Sequence, residues 1–201
     1  VKSKIPKKEQ KMVEIKRQTK ETNISVKLEV YGKGEAKINT GIGFFDHMLN
    51  ALAKHSLMDI ELSCEGDREI DDHHSVEDCG IALGQAFAKA VYPVSGIERY
   101  GDSVLVMDEA AVSAALDISG RAFLVFKAKM KDKIGTFDSE LIPEFFTAFA
   151  HNAKITLHIK KQRGKNAHHI AEACFKAVAV ALRKALAKNE RIGMPSTKGC
   201  L

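Results

Sequence analysis

Asp72-His73-His74-Ser75-Val76-Glu77 and Ala167-His168-His169-Ile170-Ala171-Glu172 carry one pattern, His-His-x-x-Glu, 95 residues apart. A second pair of stretches, Leu28-Glu29-Val30-Tyr31-Gly32 and Leu116-Asp117-Ile118-Ser119-Gly120, is related at an offset of 88. Two such pairs in the same order indicate a duplicated chain, because solenoid repeats would recur every ~20–50 residues instead.

The element pattern around these stretches recurs as well. Strands are expected in residues 12–31, a hairpin turn at Tyr31-Gly32-Lys33-Gly34 and a return strand over 35–40. Phe45, Met48, Leu49 and Leu52 share one face of a helix over 44–54. A strand over 57–64 follows, then a helix capped by Asp71 or Asp72 that runs to about residue 91 and stops before Pro93. The second half repeats the order. Residues 103–118 read as strand, Ser119-Gly120 as a turn, 122–129 as strand, 140–151 as helix and 155–161 as strand, with Asn166 capping a helix over about 168–188. The expected fold is α+β: two duplicated halves, each a small mixed sheet with two helices, packed as one unit. The expected divisions are a basic arm at 1–11, a first half at 12–94, a second at 95–190 and a phosphate-binding tail at 191–201.

Composition agrees with a folded, soluble chain. The 201 residues are 45% hydrophobic and 28% charged, which excludes disordered, collagen-like and coiled-coil classes. The net charge of +5 hints at nucleic acid, but residues 1–20 alone hold eight basic against two acidic groups. The other 181 residues hold 23 basic and 24 acidic groups, so the excess is an arm rather than a binding face, and no nucleic-acid partner is expected. No apolar run approaches the ~18 residues of a membrane span. The longest, residues 104–118, is broken by Asp108, Glu109 and Asp117. Without a secretory leader or C-x-x-C spacing, Cys64, Cys79, Cys174 and Cys200 read as reduced thiols of a cytoplasmic protein.

The His-His-x-x-Glu pattern carries metal chemistry. On a helix, residues four apart share a face and neighbours diverge by ~100°. His73 can therefore share an ion with Glu77, and His168 with Glu172. His74 and His169 point elsewhere, and each could cross to the other half's ion. His47 and Glu144 precede the two patterns by 26 and 24 residues in similar Phe-rich contexts and are nominated as one further ligand per half. Imidazole with carboxylate and no thiolate suits Mn, Fe, Co or Zn with positions open for substrate. Lys176, four residues after Glu172, lies on the same face ~10 Å from the first turn. It suits the anionic tail of a substrate whose head binds metal. Arg99, Arg121 and the Pro195-Ser196-Thr197-Lys198-Gly199 end offer further phosphate donors. Asp46, Asp71 and Asp72 could orient neighbouring ligands or cap helices. His158 and His151 read as structural. Nucleotide-binding glycine loops, H-E-x-x-H and Gly-x-Ser-x-Gly are absent. A dinuclear phosphoester hydrolase and a non-enzymatic metal-binding shell protein are the rival classes.

Gly41-Ile42-Gly43-Phe44-Phe45-Asp46-His47-Met48-Leu49, Asp71-Asp72-His73-His74 with Glu77 and Asp78, Gly164-Lys165-Asn166-Ala167-His168-His169 with Glu172, Ser119-Gly120-Arg121 and Ser196-Thr197-Lys198-Gly199 resemble imidazoleglycerol-phosphate dehydratases over roughly residues 12–201. The resemblance implies a ribosomal protein S5 domain 2-like fold in each half. It implies a hydro-lyase at the sixth step of histidine biosynthesis, converting D-erythro-imidazole glycerol phosphate to imidazole acetol phosphate through a metal-bound imidazolate and a diazafulvene-like intermediate. It implies two Mn2+ per active site and a homo-oligomer of trimers built into an octahedral 24-mer. By position, one Mn2+ would take His47, His74, His168 and Glu172, and the other His73, Glu77, Glu144 and His169. Some relatives carry His where this chain has Glu144. The resemblance also places Glu21 as the acid/base, His55 near the substrate, and Arg99, Arg121, Lys176, Ser196 and Lys198 around its phosphate, with Thr197 in the same run.

Overall fold

The computed structural model describes residues 12–131 and 133–198. The basic arm, Gly199 and Cys200 lie outside the described residues. Among the described residues, ten strands and four helices run in the order β1 (Val13–Gln18), β2 (Thr22–Glu29), β3 (Ala36–Asn39), α1 (Gly43–Ser56), β4 (Asp59–Gly66), α2 (His73–Val91), β5 (Tyr100–Met107), β6 (Ala110–Asp117), β7 (Phe123–Lys127), β8 (Lys133–Ile134), β9 (Phe137–Asp138), α3 (Leu141–Ala153), β10 (Thr156–Arg163) and α4 (Ala167–Ala185).

The duplication is explicit in the topology. One sheet has the order β1-β2-β4-β3 and the other β5-β6-β10-β7. In each, the first two pairings are antiparallel and the last is parallel. Two connections explain the drifting offset. The β8–β9 hairpin is extra to the second half and raises the offset from 88 at β2 and β6 to 97 at β4 and β10. The stretch from β4 to His73 spans residues 67–72 and that from β10 to His168 only 164–167, which returns the offset to 95 at the two His-His-x-x-Glu patterns.

Strand alternation sets the layers. Ile24, Val26 and Leu28 of β2 stand opposite Cys64, Leu62 and Ile60 of β4, and all six are buried under the helices. The helices of the two halves fill the space between the sheets. α2 packs on α3 and α1 on α4, so each contact joins the first helix of one half to the second helix of the other. Phe145 is the hub: its ring lies 5.4 Å from Phe45 of α1 and 5.3 Å from Phe175 of α4. Burying such a ring contributes on the order of 1.5–3 kcal/mol. Gly80 and Gly84 let α2 and α3 approach closely, since a Cβ on Gly84 would stand 2.7 Å from the Phe149 carbonyl oxygen.

Two local expectations change. The turn at 31–34 does not make a hairpin, because β3 pairs with β4 in parallel and β4 takes the central place beside β2. β4 alternates apolar residues over eight positions and β3 has only four, so the longer strand gains more by burial. Asp59 Oδ1 then ties the turn to β4, accepting from the Lys33 and Glu35 amides at 2.7 and 2.8 Å. Residues 103–118 form two strands rather than one, parted by Asp108-Glu109 with Asp108 at φ 47°. The α2 start is held by Asp71, whose Oδ1 accepts from the His73 amide at 2.7 Å, and not by the Asp72 side chain. Asn166 caps α4 as expected.

Cys64, Cys79 and Cys174 are buried free thiols, and burial pushes the Cys174 thiol up to about 12. No helix among the described residues is long and apolar enough to cross a membrane.

Candidate metal centre

α1 and α4 bring His47, His168 and Glu172 together. One ligand atom from each lies within 4.8 Å of the other two. Glu172 Oε2 is 3.3 Å from His47 Nε2 and 3.2 Å from His168 Nε2. Its Oε1 accepts from Lys176 Nζ at 2.6 Å. The Glu172 carboxylate is buried, which raises its pKa, but Lys176 and His47 outweigh burial and hold it below the usual range. The first turn of α4 sets the rotation: Asn166 Oδ1 accepts from the His168 and His169 amides, and the i, i+4 step then puts Glu172 beneath His168.

α2 repeats the pattern. His73 Nε2 lies 3.7 Å from Glu77 Oε2. The adjacent rings diverge alike in both copies: His73 and His74 are 6.2 Å apart at 90°, and His168 and His169 are 6.3 Å apart at 84°. Glu144 is half-buried in the first turn of α3, the helix that packs on α2. It forms no cluster with His73 and Glu77 among the described residues.

His74 and His169 do not cross to the opposite cluster within one chain. His74 Nδ1 is 3.0 Å from Asp67 Oδ2, and Glu21 Oε2 stands 3.9 Å away. His169 Nδ1 is 2.7 Å from Glu109 Oε2. Asp67 raises the His74 pKa against partial desolvation, and Glu109 does the same for His169. His169, with the amides of Asn166 and Lys165, holds the exposed Glu109 at about 2. Asp67 and Glu109 escaped the sequence reading, although Glu109 stands at the offset of 88 from Glu21. The aspartates that it nominated serve the backbone and a neighbouring arginine. Asp46 accepts from Thr40, Asp71 from the His73 amide, and Asp72 from Arg68.

The cationic residues fall into two groups. Lys176 belongs to the Glu172 cluster, and His55, near the end of α1, lies within its field. Burial and the charges of Lys176 and Arg183 lower the His55 pKa. Arg99, at φ 70°, is buried, and three of its five N–H donors have partners. Its Nε and Nη2 reach both Asp117 oxygens at 2.7 and 3.0 Å, and Nη1 donates to the Pro195 carbonyl. Arg121 is exposed, with Nη2 3.8 Å from the same Asp117. Arg99 therefore anchors the run holding Ser196, Thr197 and Lys198 next to Asp117, and Arg121 keeps most of its guanidinium open to solvent. A cleft of about 340 Å³ places His168 beside Lys131, Lys133 and Lys165. A larger cavity of about 720 Å³ lies between β7, β10 and the start of α3, away from the histidines.

Comparisons with known proteins give the family. The family model described as imidazoleglycerol-phosphate dehydratase matches residues 40–182. The chain is 65% identical to the imidazoleglycerol-phosphate dehydratase of Campylobacter fetus, over 94% of this chain and 100% of that protein. It is 61% identical to that of Aliarcobacter butzleri over the same shares. The Staphylococcus aureus crystal structure superposes with a TM-score of 0.80 at 39% identity, covering 89% of this chain and 100% of that one. The Pyrococcus furiosus structure, in complex with (S)-C348, gives 0.82 at 37%, covering 93% and 100%. The protein is thus an enzyme of the hydro-lyase class. It belongs to the imidazoleglycerol-phosphate dehydratase family of histidine biosynthesis.

Proposed function

We propose that the chain dehydrates D-erythro-imidazole glycerol phosphate to imidazole acetol phosphate with two Mn2+ per active site. The observation that carries this reading is the convergence of His47, His168 and Glu172 beside Lys176. Two imidazoles and a carboxylate, without thiolate, form a donor set that fits Mn2+ and leaves positions for substrate. His73, Glu77 and Glu144 would hold the second ion, with His74 and His169 completing one site each. When bound, the ions supply Lewis-acid charge to the imidazole ring of the substrate.

The chain's own groups do the rest. Lys176 sits at the edge of the cluster, where the phosphate tail of a bound imidazole would extend. Arg121, Ser196, Thr197 and Lys198 supply further phosphate donors, and Arg99 holds their run in place. His55 borders the same space. Glu21, exposed in the turn between β1 and β2 and 3.9 Å from His74, would take the carbon-bound proton next to the departing hydroxyl. Loss of that proton and the hydroxyl as water leaves an enol, which ketonises to the acetol product.

The working form is a homo-oligomer, with trimers built into a 24-mer, and its place is the cytoplasm. Two features favour this. His74 and His169 turn away from the chain's own cluster, as ligands offered to another copy would. The outer face of the second sheet also exposes Val104, Val106 and Phe123, an apolar face that a partner surface would cover. The buried free thiols suit a reducing compartment.

The test is turnover of imidazole glycerol phosphate by metal-stripped protein with Mn2+ restored. Acetol product without inorganic phosphate is expected. Released phosphate would instead identify a phosphoester hydrolase, and metal uptake without conversion a binding protein. Glu21→Gln should retain metal and substrate and stop turnover; near-normal turnover would remove Glu21 from the mechanism.

A further inference from the structure

Two imidazoles are aimed by carboxylates that lie outside the repeated motif. Asp67 oxygens stand 3.2 and 3.0 Å from His74 Nδ1, and Glu109 Oε2 stands 2.7 Å from His169 Nδ1. A carboxylate at Nδ1 makes that nitrogen the N–H donor and leaves the Nε2 lone pair for a metal. Asp108 Oδ2, at 3.8 Å from His169 Nε2, is too distant to accept a hydrogen bond that would keep the proton on that nitrogen.

The two carboxylates come from places that the duplication does not relate. Glu109 lies in the turn between β5 and β6, and its Oε1 accepts from the amides of Lys165 and Asn166 at 3.1 and 2.8 Å. It therefore fixes both the ring and the loop that leads into α4. Its duplicate is Glu21, in the turn between β1 and β2. Glu21 stays 3.9 Å from His74, because Asp67 occupies the ring nitrogen. Asp67 opens the 67–72 connection. The corresponding 164–166 connection opens with Gly164, which has no side chain to offer.

We infer that Asp67 and Glu109 are positioning residues, each holding one metal-binding histidine in its Nε2-ligating form, and that Asp67 frees Glu21 by taking the contact that Glu109 makes in the other half. The inference rests on the metal sites and the Glu21 role proposed above. One duplicate glutamate thus remains an orienting group, and the other becomes available for proton transfer.

The test titrates Mn2+ alone into the metal-stripped full chain and reads free Mn2+ by electron paramagnetic resonance. The wild type should bind two Mn2+ per chain. Glu109→Gln should weaken one of the two by about 10–100-fold and leave the other, and Asp67→Asn should weaken one likewise. The double variant should weaken both. At saturating Mn2+, kcat should fall further in Asp67→Asn than in Glu109→Gln, because Glu21 would then be drawn to His74. Should either variant fail to fold, Glu109→Asp and Asp67→Glu, which keep the charge and shift it by one methylene, should show the same selective weakening. Variants that bind two Mn2+ as tightly as a two-metal wild type would overturn this inference alone. A wild type that binds no Mn2+ would overturn the metal reading and the inference with it. A smaller kcat loss in Asp67→Asn than in Glu109→Gln would overturn the freeing of Glu21.

Discussion

Glu172 divides its two oxygens between Lys176 and the histidines: Oε1 holds the ammonium at 2.6 Å, and Oε2 faces His47 and His168 at 3.3 and 3.2 Å. The carboxylate can therefore serve an ion and keep the lysine in one motion-limited place. The i, i+4 steps on α4 set His168 and Lys176 on either side of Glu172, and α1 brings His47 to the oxygen that His168 faces.

Substitutions at the two ends of that pair should separate. On the proposed reading, Lys176→Met would remove a charged phosphate donor, a loss of about 1.5–3 kcal/mol, and should raise KM about 10–100-fold with Mn2+ affinity nearly unchanged. Glu172→Gln should weaken one of two Mn2+ sites by more than the ~10–100-fold typical of an outer contact. Steady-state kinetics and metal titration check both. An unchanged KM in Lys176→Met would remove Lys176 from the substrate site.

Asp78 on α2 is a buried clasp between the helix and the first hairpin. Arg17 Nε and Nη2 reach its Oδ1 at 3.0 and 2.8 Å, and Thr22 Oγ1 donates to its Oδ2 at 2.5 Å. Thr19 Oγ1 accepts from the Glu21 and Thr22 amides, so the clasp extends to the turn that carries Glu21. Breaking a buried pair costs about 3–5 kcal/mol. Arg17 keeps some water, so Asp78→Asn should cost about 2–3 kcal/mol and lower Tm by about 5–10 °C. Calorimetry that finds the wild-type Tm would show that the clasp is replaceable.

Gly84→Ala should strain the α2–α3 contact. The added Cβ would meet the Phe149 carbonyl at 2.7 Å, Asn152 Cβ at 2.8 Å and the Ala153 amide nitrogen at 2.9 Å, and backbone cannot swing aside as a side-chain tip can. Overpacking of this kind costs about 1–3 kcal/mol. Since α2 carries His73 and Glu77 and α3 carries Glu144, one Mn2+ site should weaken as well. Gly43→Ala is the control. Nothing lies within 4 Å of its added Cβ, so stability should hold or rise by about 0.4–1 kcal/mol. Equal Tm losses in the two variants would deny the close approach.

The duplication was legible because helix-starting His-His-x-x-Glu and the end of the second strand are local signals that survive in both copies. The i, i+4 face of His168 and Glu172 followed from helical period alone, and Asn166 announced its cap. What escaped depends on long-range choice. Nothing local in residues 36–39 tells whether they pair with β2 or lie parallel to β4; the longer apolar alternation of β4 decides it in three dimensions. Glu109 escaped for the same reason. A carboxylate 60 residues from His169 becomes its neighbour only when the β5–β6 turn folds over the start of α4. Arg99 is a mixed case: its cationic type suggested a phosphate donor, and folding sets three of its N–H donors on Asp117 and Pro195.

His55 gives the chain a pH dependence of known sign. Burial and the cations Lys176, Arg183 and Lys54 lower its pKa, and Glu172 opposes them. The unfolded chain therefore takes up this proton at a higher pH than the folded one does. Stability from this group is complete above the unfolded value of about 6.5 and is lost as pH falls from there toward the lower folded value. His55→Gln removes the titration, so Tm should fall less steeply in the variant than in the wild type as pH drops from about 7 to 5. Parallel Tm profiles over that range would show that His55 protonates alike in the folded and unfolded chain.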